Sequence, residues 1–139
     1  MRKVLTLLFI GLLAQGVLGQ TKEDILKDFT GPVFEFDTEV IDYGEIAANS
    51  DGNRVFTFKN VGKSPLIISQ VKGSCGCTVP TKPDKPIMPG ETGEIKVKYA
   101  TNRIGPFSKT VTITSNAYED TKVLRIKGRV LESGADDLN

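Results

Sequence analysis

From Val33 onward, apolar and polar residues take turns along the chain with period two, the spacing of strands rather than helices. VFEFD sets Phe34 and Phe36 against polar neighbours, and EVIDYGEI follows with Val40, Ile41, Tyr43 and Ile46. NRVFTFKN puts Phe56 and Phe58 on one face. GEIKVKYA turns Ile95, Val97 and Tyr99 inward and Glu94, Lys96 and Lys98 outward. FSKTVTITS alternates Val111 and Ile113 with threonines. KVLRIKGRV places Leu124, Ile126 and Val130 opposite Arg125, Lys127 and Arg129. One run breaks the alternation. SPLIISQV, 64–71, is continuously apolar in its middle, which predicts a strand covered on both faces.

Turn chemistry separates these runs. NSDGN at 49–53, NVGKSP at 60–65, MPGETG at 88–93, NRIGP at 102–106 and SNAYED at 115–120 are rich in Gly, Pro, Asn or Asp. Six or seven short strands in about 100 residues predict an all-β antiparallel sandwich over 32–131. Lys, Arg and Thr at the outward positions discourage edge pairing. Ahead of the strands, 20–31 carries Ile25, Leu26 and Phe29 at helical spacing with Thr21 as a cap, a short helix or an irregular lead-in. ESGADDLN, 132–139, is polar and acidic and predicts a disordered tail.

The N-terminus follows a different pattern. Arg2 and Lys3 precede ten apolar residues, Val4 to Leu13, and AQGVLG then supplies small residues up to Gly19. That order predicts a cleaved signal peptide over 1–19 and a periplasmic or secreted protein. The apolar run is shorter than the roughly 20 residues of a spanning helix, so no membrane span is expected after cleavage. No cysteine follows the cleavage region to accept a lipid. Residues 20–139 suffice for one domain. Removing Arg2 and Lys3 from 18 basic residues leaves 16 against 17 acidic, a net charge of −1. Such a balance offers no electrostatic footprint for nucleic acid.

Catalytic chemistry has few carriers. The chain has no histidine, which removes the commonest general base and the commonest transition-metal ligand. No Gly-rich loop fits a phosphate cradle. Glu35, Asp37, Glu39 and Asp42 read as a solvated face rather than an acid–base pair. Asp51 alone in NSDGN does not make a calcium loop. A non-enzymatic protein is therefore expected unless the cysteines supply the chemistry.

The two cysteines, Cys75 and Cys77, stand one glycine apart in GSCGCTVP. In an extended strand the Cα atoms of such a pair lie about 6.6 Å apart, at the outer edge of the roughly 4.4–6.8 Å that a disulfide spans. Gly76 is free to take positive φ and bend the chain so that the bond closes across a very small ring. An oxidising compartment favours that bond. A bond across so short a loop adds little stability and suits exchange better than structure. Two other readings stand beside it. The thiols are reduced and serve packing, or they clamp a soft ion such as Cu(I). Zinc would need ligands from a second molecule, because no other Cys or His exists. Lys72 and Lys82 are the nearest cations in sequence to lower a thiol pKa.

Several ordered motifs complete the reading: F-x-N-x-G-x-S-P-L at Phe58–Leu66, S-C-G-C-T at 74–78, P-G-E at 89–91, G-x-F-x-K at 105–109 and T-S-N at 114–116. Together they resemble the bacterial secreted family known as domain of unknown function 1573, over about residues 33–130. That family is in turn similar to the immunoglobulin-like domains of abnormal spindle protein, hydin and major sperm protein. The resemblance implies an immunoglobulin-like antiparallel β-sandwich of about seven strands that acts as a binding or assembly module.

The expected function is an exported module that binds an unidentified protein partner or assembles in the bacterial envelope. Ser74, Cys75, Gly76, Cys77 and Thr78 form its candidate binding loop, and no cofactor is required. The rival expectation is a periplasmic thiol/disulfide or copper protein that uses Cys75 and Cys77.

Overall fold

The computed structural model describes residues 21–132. The leader expected over 1–19 and all of the acidic tail beyond Glu132 lie outside the described residues. Eight strands form two four-stranded sheets that pack face to face. The first sheet runs β1 (Phe34–Phe36), β3 (Asn53–Asn60), β6 (Thr92–Tyr99), β5 (Thr78–Thr81) from edge to edge. The second runs β2 (Val40–Ala47), β8 (Thr121–Leu131), β7 (Gly105–Ser115), β4 (Ile68–Gly73).

The alternation in the sequence maps onto the two faces. Along β6, exposed and buried residues alternate without a break, and Ile95, Val97 and Tyr99 point into the core. Phe56 and Phe58 meet them from β3. Val111, Ile113, Leu124 and Ile126 come from the second sheet, and all four are fully buried. Removing each such side chain from water contributes about 1.5–3 kcal/mol. The sheets lock together where Tyr99 of β6 stacks on Phe107 of β7, with ring centroids 3.8 Å apart. Tyr43 of β2 packs edge-on against the same Phe107 ring.

The structure departs from the sequence reading in four places. β5 is an eighth strand; TVPT is four residues long and holds a proline, so its pattern is too short to read. β2 runs parallel to β8, whereas an antiparallel sandwich was expected throughout. Parallel neighbours need a long connection, and β3 to β7 lie along the chain between these two strands. The apolar run at 64–71 is not covered on both sides: Leu66 and Ile68 are buried, but Ile67 between them is 51% exposed. Finally, α1 (Lys22–Asp28) is a helix, but Thr21 makes no side-chain cap bond to its backbone and none of its residues is buried. Phe29 just beyond it rests edge-on against Tyr118.

Candidate functional site

β4 and β5 are edge strands of different sheets, and residues 74–77 carry the chain from one to the other. The candidate loop is therefore a corner at one flank of the sandwich. Hydrogen bonds pin both of its ends. The Ser74 N–H donates to the Thr110 carbonyl (2.9 Å), and the Thr110 N–H donates to Ser74 Oγ (3.2 Å). The Ala100 N–H donates to the Cys77 carbonyl (2.9 Å), and the Thr78 N–H closes the turn on the Cys75 carbonyl (3.2 Å). Thr110 and Ala100 are anchors that the sequence reading did not single out. They lie more than 20 residues away along the chain, so only strand pairing brings them here.

Cys75 and Cys77 are joined by a disulfide, with Cα atoms 5.3 Å apart. The bond turns the pair away from the reduced packing role. A pair in this state has no thiolate for a soft ion, so copper would require prior reduction. Among the described residues, no three His, Cys, Asp or Glu side chains gather in a metal-binding cluster. Gly76 achieves the bend without positive φ, contrary to expectation. A Cβ added there would meet no atom within 4 Å, because the residue stands at an exposed tip.

The two sulfurs differ in environment. Cys77 is 5% exposed and belongs to the core cluster, while Cys75 is only half-buried at its rim. The Thr78 hydroxyl is buried, 4.0 Å from Cys75 Sγ and 3.9 Å from Cys77 Sγ. Those sulfurs are its only polar partners among the described residues. Neither Lys72 nor Lys82, the cations nearest in sequence, hydrogen-bonds to a sulfur.

Three of the other sequence motifs are engaged in architecture. Asn60 is fully buried and makes four bonds to backbone. Its Nδ2 donates to the Ser64 and Ile87 carbonyls (both 2.9 Å), and its Oδ1 accepts from the Gly62 (3.0 Å) and Val33 (3.3 Å) N–H groups. Its backbone carbonyl accepts from the Gly90 N–H at 2.7 Å, which joins the first motif to P-G-E. Asn116 of T-S-N accepts from the Ile67 N–H (2.7 Å) and donates to the Pro65 carbonyl (3.1 Å). These motifs interlock the loops at one end of the sandwich.

A groove of about 320 Å³ lies at the opposite edge of the first sheet, beside β1. Leu26, Phe34, Phe36 and Tyr118 give it an apolar floor. Charged residues close its rim. Lys122 bonds to Glu39 and to Glu119 (3.0 Å), and Lys22 bonds to Glu119 as well. Lys22 and Lys122 together hold the Glu119 carboxyl below its ordinary range. Burial pulls the Lys122 ammonium down, but Glu39 and Glu119 outweigh it and raise its pKa. Sequence spacing did not reveal this groove, because its walls come from four separate segments.

No helix among the described residues is long and apolar enough to cross a membrane. No curated protein matches the chain. Among solved structures, a protein of unknown function from Porphyromonas gingivalis W83 is 15% identical with a TM-score of 0.63. It aligns with 70% of this chain and 46% of its own, so this chain spans about half its length. An ASH / PapD-like domain of human CEP192 is 10% identical with a TM-score of 0.61, covering 88% of this chain and 97% of that one. A chain of the CsuC–CsuE chaperone–tip adhesion subunit pre-assembly complex of Acinetobacter baumannii is 14% identical with a TM-score of 0.54. That match covers 71% of this chain and 52% of the other. These likenesses establish an immunoglobulin-like sandwich. The family model for protein of unknown function DUF1573 matches residues 34–130, and the chain belongs to that family.

Proposed function

We propose that this protein is an exported, non-enzymatic immunoglobulin-like module that binds a protein partner or assembles in the bacterial cell envelope. Its contact is the Ser74–Thr78 loop. One observation carries the reading: this corner joins two edge strands and holds an exposed tip, Gly76, around which the fold places nothing. Loops fixed on a rigid scaffold are where binding residues concentrate. The likeness to a chain of a chaperone–subunit complex supports a protein as the partner. The test is capture from a bacterial envelope extract by wild type and by Gly76→Arg. The arginine fits the open space, so its unfolding midpoint should match wild type while capture is lost. Equal capture by both proteins, or none by wild type, defeats the reading.

The Cys75–Cys77 bond favours a second reading, a periplasmic protein that exchanges disulfides and takes up copper only after reduction. Alkylation before and after treatment with a dithiol, read by mass, tests it. A pair that stays closed under strong reductant rules it out.

A further inference from the structure

The disulfide has an inside and an outside. Cys77 belongs to the core, Cys75 lies at its rim, and Thr78 places a buried hydroxyl within reach of both sulfurs and, among the described residues, of no other polar partner. From this asymmetry, and resting on the thiol-exchange reading, we infer that the pair takes two electrons from a partner dithiol by attack at Cys75, with Cys77 as the leaving sulfur and the Thr78 hydroxyl as its hydrogen-bond donor.

The steps balance. A partner thiolate attacks Cys75 Sγ in line with the bond. A new bond forms between the partner sulfur and Cys75 Sγ, and the Cys75–Cys77 bond breaks. The electron pair goes to Cys77 Sγ. A thiolate leaving into apolar surroundings is costly unless a donor meets it. The Thr78 O–H is the donor in place, and solvent later supplies the proton. The partner's second thiolate then attacks its own first sulfur. Cys75 leaves as thiolate at the rim and takes a proton from water. The partner ends as a disulfide, oxidised by two electrons, and the pair ends as two thiols.

Approach geometry selects Cys75 over Cys77. Exchange requires the attacking sulfur to reach the far side of the one it strikes. Cys77 is enclosed by the core, so attack there would require the β4–β5 corner to open. Cys75 faces the rim beside Gly76, whose missing side chain leaves the approach clear.

Glutathione, a monothiol, locates the first attack. The oxidised protein is mixed with reduced glutathione and quenched within seconds by excess N-ethylmaleimide. Fragment mass spectra of the peptide that holds both cysteines then assign each adduct. Glutathione on Cys75 with maleimide on Cys77 should exceed the reverse by about tenfold or more. Equal or reversed adducts overturn the order of attack while leaving exchange intact. No adduct and no opening by dithiothreitol overturn exchange itself. Thr78→Val should move the pH profile of exchange upward with little change in the unfolding midpoint, and Thr78→Ser should hold the wild-type profile. A profile unmoved by Thr78→Val removes the hydroxyl from the mechanism.

Discussion

Gly73 and Thr78 approach so closely that a methyl group on Gly73 would stand 2.1 Å from the Thr78 carbonyl oxygen. The obstacle is backbone, which cannot swing aside. Gly73 is thus the residue that lets β4 leave one sheet and β5 enter the other within a few residues. Gly73→Ala should destabilise the fold by about 2 kcal/mol or more, because the corner must spread to admit it. Gly76→Ala should leave stability unchanged or raise it by up to about 1 kcal/mol, since its backbone and space accept a side chain. Urea midpoints of the two variants decide the matter, and similar losses in both would contradict this account of the loop.

Asn60, fully buried, makes four bonds to backbone groups. Asn60→Ala strips the Ser64 carbonyl and the Gly62 and Val33 N–H groups of their partner, while the Ile87 carbonyl keeps the Leu66 N–H. Each orphaned group costs about 1–3 kcal/mol, so a loss of about 3 kcal/mol or more is expected. Hydrogen exchange at the Gly62 amide should quicken as well. A variant with near wild-type stability would show that water replaces the side chain.

Pro80 protects the free edge of β5. The Tyr99 N–H turns away from β5 to the Gly52 carbonyl, so Thr78 opposite it is a non-hydrogen-bonded position. Pro80, two residues on, has the same parity and would aim an N–H at solvent. Proline has none, and the Thr78 N–H is already engaged by Cys75. Pro80→Val restores one outward donor and should promote concentration-dependent self-association with little change in monomer stability. Light scattering that stays monomeric across the concentration range would count against edge protection.

Tyr43 couples stability to alkaline pH. Its hydroxyl donates to the Gly52 carbonyl at 2.8 Å. Burial pushes its pKa up to about 12, with Arg54 pulling it down and Asp51 pushing it up. A folded pKa above the unfolded value, about 10, means that the unfolded chain loses the proton first. Stability from this group is intact below about pH 10 and is lost as pH rises toward about 12. Tyr43→Phe should show a shallower fall over that window in urea midpoints taken at stepped pH. Parallel curves would assign the alkaline loss to other groups.

Much of the fold is legible in the residues because burial writes itself into period-two patterns. Ile95, Val97 and Tyr99 against Glu94, Lys96 and Lys98 define a strand and its faces without reference to any other segment. The same local signals name the turns and mark Cys75 and Cys77 as the one pair of residues carrying reactive chemistry. Local pattern does not encode which strands become neighbours. The parallel pairing of β2 with β8 and the anchoring of Ser74 to Thr110 depend on contacts between distant segments, each weak until the others form. The groove beside β1 depends on such contacts too. Burial of Cys77 beside a rim-exposed Cys75 is likewise a property of the packed corner. Two identical side chains one glycine apart carry no difference in sequence, and only the sheets closing around one of them create it.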